Sequence, residues 1–219
     1  MADEPLSVDV FWSFRSPYSY LATGRLLALQ SELGIEVNVR PVLPIAVRTP
    51  EFFERVNPLF PSYLFRDVMR LGEFLGIPIR WPRPDPVVMN SDRTYPLEQP
   101  YIHRLTRLGV AAAEKGRGLA FLDEVSKVIW DGRVDDWHEG NHLSAATARA
   151  GLDLDELDCT IEADPNHFVD AIEDNQQALE AAGHWGVPTM VFNGEPFFGQ
   201  DRIDLLVWRL RQAIPVPPG

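Results

Sequence analysis

Residues 7–40 constrain the fold more than any other stretch. Ser7-Val-Asp-Val-Phe-Trp12 is rich in β-branched and aromatic residues and reads as a buried strand. Ser16-Pro17 is an N-cap and N1 pair, so a helix starts there. Leu21, Leu26, Leu27 and Leu29 recur at roughly helical spacing, and Gly34 closes the helix. Ile35-Glu-Val-Asn-Val-Arg40 alternates and reads as a second strand. Strand, helix and strand in immediate succession make a βαβ unit, which sets the two strands parallel.

The far end is α/β again. Thr189-Met-Val-Phe192 reads as a strand, Asn193-Gly194 as a hairpin turn, and Glu195-Pro-Phe-Phe198 as the partner strand. Gly199 to Ala213 reads as a closing helix, with Leu205, Leu206, Trp208 and Leu210 for its buried side. Between the ends, helical patterns dominate: 63–75, 97–115, 119–129, 142–150, 154–163 and 168–182. Residues 77–86 form a proline-rich loop, too rigid for a helix and unable to join a sheet interior. The expected architecture is a small mixed sheet built by the two ends, with helices on both faces. Residues 1–45 and 184–219 make this α/β domain, and residues 46–183 are a helical insertion.

Composition excludes several classes. Of 219 residues, 20 are Lys or Arg and 32 are Asp or Glu, a formal net charge of −12. Such a surface repels phosphate backbones, so nucleic acid is not an expected partner. Cys159 is the single cysteine, which excludes an internal disulfide, a CxxC redox pair and a cysteine zinc cage. The start, Met1-Ala-Asp-Glu-Pro5, is acidic and has no apolar run, so no secretion signal is read there. No apolar stretch is long enough to span a bilayer. A cytoplasmic protein with no membrane partner is expected.

Three short segments carry candidate chemistry, and each has a plainer reading. Ser16-Pro-Tyr-Ser19 places a hydroxyl where helix amides point outward. Those amides favour a developing anion by roughly 0.3–1 kcal/mol, up to about 2 when buried. The plainer reading is a simple N-cap. Trp185-Gly-Val-Pro-Thr189 runs into a strand, so Val187-Pro188 is a candidate cis peptide that leaves the Val187 backbone free for an extended ligand. An ordinary edge proline is the alternative. In Phe198-Gly-Gln-Asp-Arg202, the amides of Gln200 and Asp201 offer donors to a carboxylate, and the Asp201 side chain offers an acceptor to an ammonium. Alternatively, Asp201 only offsets a helix dipole.

In this order and spacing the motifs S-P-Y-S-Y-L, G-V-P-T and F-x-G-x-D-R resemble the DsbA-like branch of the thioredoxin fold, over nearly the whole chain. With Ser16 at the first cysteine position, the chain resembles 2-hydroxychromene-2-carboxylate isomerases and kappa-class glutathione transferases. The resemblance implies a thioredoxin-like α/β fold with a large all-helical insertion, and glutathione as cofactor. It implies that Ser16 hydrogen-bonds the glutathione sulfur. It maps the cysteinyl backbone contact to Val187 and Pro188, and the γ-glutamyl contact to Phe198, Gly199, Gln200 and Asp201. It further implies reversible addition of the thiolate to a conjugated carbon of an aromatic-catabolite carboxylate, bond rotation, and release. The alternatives are a kappa-like transferase or peroxidase, and a catalytically silent binding protein. Arg48, Asn57 and Asn90 are the candidate substrate contacts, and a homodimer is implied. Many members carry a lysine in the segment matching residues 60–66; here Arg66 is the basic residue.

His138-Glu-Gly-Asn-His142 matches H-E-x-x-H, which binds zinc only with both histidines on one helix face. Gly140 and Asn141 are poor helix-interior residues, Asn141 reads as a helix cap, and no third ligand follows. No metal is expected. Cys159 lies in the acidic stretch 153–162 and carries no assigned role. Tyr18 and Tyr20 read as packing residues of the first helix, with lining of the pocket as the alternative.

Overall fold

The structure is a computed structural model and describes residues 5–91 and 94–214. The acidic start 1–4 and the tail 215–219 lie outside the described residues.

Strand β1 (Ser7–Trp12), helix α1 (Pro17–Leu33) and strand β2 (Glu36–Pro41) form the opening βαβ unit. Gly34 closes α1 at φ 61°, a left-handed geometry that suits glycine. Then come α2 (Ile45–Arg48), α3 (Phe52–Arg55), α4 (Phe60–Leu75), α5 (Ile102–Glu114) and α6 (Gly118–Trp130). They are followed by α7 (His142–Arg149), α8 (Leu154–Ala163) and α9 (Pro165–Ala181). The chain returns to the sheet with β3 (Thr189–Phe192) and β4 (Glu195–Phe198), then ends in a 3₁₀ turn (Gln200–Arg202) and α10 (Ile203–Ala213). The strand order is β2-β1-β3-β4, with β1 parallel to β2 and antiparallel to β3. The hairpin turn has positive φ at both Asn193 and Gly194, as the Asn-Gly pair implies.

Alternation along β1 divides the protein. Val8, Val10 and Trp12 enter the main core, whereas Phe11 faces the other side and packs with Val42 and with Leu179 of α9. The sheet therefore has helices on both faces. Burying each large side chain is worth roughly 1.5–3 kcal/mol.

The β1–α1 turn is wedged from several sides. Phe14 is fully buried and meets Trp12 edge-on at 4.7 Å and Phe121 at 6.2 Å. The Trp130 indole of α6 donates to the Phe14 carbonyl at 2.9 Å. Gly109 of α5 lets this helix come close: a Cβ there would lie 3.1 Å from the Phe14 ring and 3.2 Å from Pro41.

The element boundaries differ from the sequence expectation where side chains override periodicity. Helix α5 begins at Ile102, not Leu97. The preceding segment holds Pro96 and Pro100, and buried Gln99 bonds both the amide and the carbonyl of Val88. Helix α9 begins earlier than expected, because Asp164 caps the His167 amide at 3.2 Å with Pro165 following. The closing helix starts at Ile203 rather than Gly199. Gly199 has φ 104°, and a Cβ there would sit 2.5 Å from an Asp201 carboxylate oxygen. Helices α2 and α3, one turn each, had no periodic signal.

Replacing Trp130 tests the wedge. Trp130→Phe keeps an aromatic ring but leaves the buried Phe14 carbonyl unpaired, a loss of roughly 1–3 kcal/mol. Urea denaturation should show that loss, with Tm lower by several degrees and far-ultraviolet circular dichroism unchanged.

Candidate functional site

Ser16 stands at the end of the wedged turn, with extended geometry (φ −95°, ψ 112°) before α1. Its Oγ accepts the Ser19 amide at 3.2 Å and donates to the Val187 carbonyl at 3.2 Å. The cap and the site are thus one residue. The first turn of α1 contains no acidic residue, so the partial positive charge of the helix end is left for a ligand.

Val187-Pro188 is a cis peptide. The Pro188 carbonyl accepts the Gly199 amide at 2.9 Å, which clips the loop to the start of the 3₁₀ turn. From α1, Arg25 donates to the Gln200 carbonyl at 2.8 Å and pairs with Asp204 at 2.7 Å. Gln200 is buried. Asp201 is largely exposed and pairs with Arg202 at 2.7 Å. The Phe198 ring stacks on His184 at 3.9 Å. Ser16, Val187, Pro188, Phe198, Gly199, Gln200 and Asp201 therefore converge at one end of the sheet.

The three other candidate residues are placed differently. Arg48 Nη2 donates to the Trp185 carbonyl, so α2 is fastened to the cis-proline loop. Its Nε is buried without a partner, and burial pushes the guanidinium pKa down. Asn57 is exposed, and its side chain accepts the Leu59 amide at 2.9 Å in the turn before α4. Asn90 is exposed and donates to Thr94 Oγ1 at 2.9 Å. Neither asparagine makes a hydrogen bond to the Ser16 turn or the cis-proline loop. Arg66 is exposed and turns back on its own helix toward the Ser62 carbonyl.

Other side chains lie beside these elements, and of them the sequence singles out only Tyr18 and Tyr20. Arg15 makes a two-point pair with Asp85, 2.6 Å at one contact, and lies 4.5 Å over the Trp81 ring. Asp85 also accepts the Trp81 indole at 3.2 Å and the Val87 amide at 2.9 Å. Tyr18 donates to Asp67 of α4 at 2.8 Å, and burial with that contact pushes its pKa up. Tyr20 is buried and donates to the Pro78 carbonyl at 2.7 Å. An aromatic arc runs from Phe198 through His184 and Trp185 to Phe52, Phe53 and Tyr95. Its members are far apart in sequence, so no local motif marks it.

His138 precedes α7 and packs against Tyr101 with ring centroids 4.7 Å apart and planes tilted 59°, while His142 is the first residue of that helix. Gly140 between them has φ 58°. The two histidines do not share a helix face. Cys159 is exposed.

Residues 7–211, which contain the turn, the cis-proline loop and the 3₁₀ turn, match a family model described as a DSBA-like thioredoxin domain. The chain belongs to the DSBA-like thioredoxin family. Similar proteins include glutathione S-transferase kappa 1 from Homo sapiens, 26% identical over 231 aligned positions, covering 100% of this chain and 97% of that protein. The 2-hydroxychromene-2-carboxylate isomerase from Pseudomonas putida is 23% identical and is covered to 91%, as is this chain. A solved 2-hydroxychromene-2-carboxylate isomerase superposes with a TM-score of 0.69 at 20% identity, covering 95% of this chain and 96% of that one. No described helix of this DSBA-like chain is long and apolar enough to cross a membrane.

His184 provides a pH test of the cis-proline loop. Burial holds its pKa below the ordinary value, and the Gly186 amide donates to Nδ1 at 2.9 Å, which requires that nitrogen to be unprotonated. A depressed folded-state pKa stabilises the fold above the unfolded value of about 6.5, and this is lost as pH falls through the folded pKa. Nuclear magnetic resonance should place the His184 midpoint below 6.5. The stability difference between the native protein and His184→Phe should shrink on acidification.

Proposed function

We propose that the protein is a glutathione-dependent isomerase of an aromatic carboxylate, with an activity like that of 2-hydroxychromene-2-carboxylate isomerase. The observation that carries this reading is the Ser16 hydroxyl, held at the N-terminus of α1 and facing the cis-proline loop. Family membership and the two enzyme relatives support it.

The residues fit glutathione along its length. The Ser16 hydroxyl and the α1 amides suit a sulfur anion. The Val187 amide has no partner among the described residues and suits an extended peptide backbone. Asp201, exposed beside the Gln200 backbone, suits an α-ammonium group. Bound glutathione would supply the thiolate nucleophile that a chain without a cysteine at this turn lacks. A thiol of pKa about 8.5 is only about 3% ionised at neutral pH. Lowering that pKa to about 6.5 takes about 2.7 kcal/mol, which one charged hydrogen bond and a helix end supply together. Oxygen at Ser16 and Ser19 cannot take part in disulfide exchange, so the fold is used here without its redox chemistry.

A kappa-like transferase is the second reading, favoured by the 26% identity to the human enzyme. Both readings use Ser16 in the same way. They part on whether glutathione is consumed.

Calorimetry with glutathione and the ultraviolet thiolate absorbance test the reading. The native protein should bind and show the thiolate band at neutral pH. Ser16→Ala should lose the band and about 1 kcal/mol of cap stability. A screen of aromatic carboxylates should then give turnover at constant glutathione. Failure to bind at millimolar glutathione would sink both enzyme readings, and consumption of glutathione would select the transferase.

A further inference from the structure

His184 lies where the cis-proline loop meets the end of β4, and the chemistry proposed above does not use it. Its ring stacks on Phe198 at 3.9 Å and 22°, and on Trp185 at 5.4 Å and 17°. Its Nδ1 accepts the Gly186 amide at 2.9 Å. A Cβ at Gly186 would lie 2.6 Å from the Phe198 ring and 3.1 Å from the His184 ring, so both rings press on the loop backbone.

Gly186 is therefore held at both of its polar groups. His184 takes its N–H, and the buried Thr189 hydroxyl donates to its carbonyl at 2.7 Å. In a trans peptide the carbonyl and the next N–H point in opposite directions. Fixing the Gly186 carbonyl thus aims the Val187 amide, which has no partner among the described residues. The Val187 carbonyl accepts Ser16 Oγ. The hold at His184 lasts only while Nδ1 keeps its lone pair. Imidazolium is a donor at both nitrogens, so protonation sets one N–H against another. Burial of the ring also disfavours its charged form. The charged groups on the surrounding elements are Arg48 of α2, Glu180 of α9 and the Asp201–Arg202 pair. Arg48 donates to the Trp185 carbonyl, Glu180 acts on the charge of Arg48, and none of the four bonds the imidazole.

We propose that His184 is the positioning residue of the cis-proline loop: the neutral ring holds Gly186 so that Val187 faces an extended thiol peptide, and the protonated ring releases it. The ligand is then held near neutral pH and let go in acid. Ligand and proton compete, so each weakens the other by the same factor. The proposal rests on the glutathione reading for its ligand, whereas the proton-controlled loop stands on the His184–Gly186 contact itself.

S-methylglutathione is the probe, because it has no thiol to ionise. Calorimetry should show its Kd rising as pH falls through the His184 midpoint, by about tenfold per pH unit at the steepest. Nuclear magnetic resonance should show the Gly186 and Val187 amide signals moving with that midpoint, and bound probe should lower the midpoint further. His184→Asn offers an oxygen to the Gly186 amide but does not titrate. It should bind the probe about as well as the native protein at neutral pH and lose the pH dependence. His184→Phe keeps a stacked ring without the acceptor. It should bind several-fold more weakly than the native protein at neutral pH, again with a flat profile. A native binding profile flat across the His184 midpoint would overturn the proposal. So would an unchanged profile in His184→Asn, by assigning the proton to another group. No probe binding at any pH, with amide signals that follow His184, would remove the glutathione reading and keep the loop role. Amide signals that stay still would overturn the loop role too. The resonance titration uses the native protein, so it decides the loop role even if neither variant folds.

Discussion

The hydrogen bond from the Trp130 indole to the Phe14 carbonyl fixes the segment on which everything else is arranged. A strand-to-helix turn has backbone groups that neither element satisfies, and burying one unpaired is expensive. Here the helical insertion supplies the missing donor. It also supplies Phe121 against the Phe14 ring and, at Gly109, the room for α5 to approach. Two residues later the same turn presents Ser16. The insertion therefore acts on the site through the backbone that carries it, even where it does not touch the site itself.

The site is assembled by single clips between segments distant in sequence. Ser16 reaches Val187, Pro188 reaches Gly199, and Arg25 reaches Gln200. The first clip differs in kind from the others. A serine hydroxyl has one proton, and Ser16 spends it on the Val187 carbonyl at 3.2 Å, longer than the usual 2.5–3.0 Å for O–H···O. A sulfur anion at the α1 terminus would take that proton in its place. The exchange gives up a long neutral hydrogen bond for a charge-assisted one, so the cost of releasing Val187 is small against the gain. The Ser19 amide keeps its acceptor throughout, because Ser16 Oγ can accept and donate at once.

What the sequence made legible follows from range. The βαβ opening, the Asn-Gly hairpin and the cis proline rest on local chemistry, and each appears where expected. The start of α5 was misplaced because Gln99 answers to Val88, a partner eleven residues away that no periodicity reveals. Helix α9 starts at Pro165 behind the Asp164 cap, ahead of the apolar spacing that begins at Phe168. Ser16, Val187 and the 199–201 segment could be read because backbone geometry dictates their sequence. The aromatic arc could not, since Phe52, Tyr95 and Trp185 meet only through tertiary packing. Asn57 and Asn90 show how local chemistry competes for a polar side chain. Polar residues in a promising segment went into their own turns, as asparagine does when a local amide or hydroxyl is in reach.

Net charge and local charge also oppose one another. The chain carries −12, and both glutathione and an aromatic carboxylate are anions. Long-range attraction cannot bring such ligands to the site; at physiological salt the field of the acidic surface fades over about 8 Å. Under the proposed function, recognition would come from contacts closer than that: the amides at the end of α1, the Val187 amide and a nearby cation. Arg15 lies nearest to Ser16 in sequence, but Asp85 neutralises it and Trp81 covers one face. Arg48 makes no ion pair among the described residues; it donates to the Trp185 carbonyl, and the Glu180 carboxylate acts on its charge.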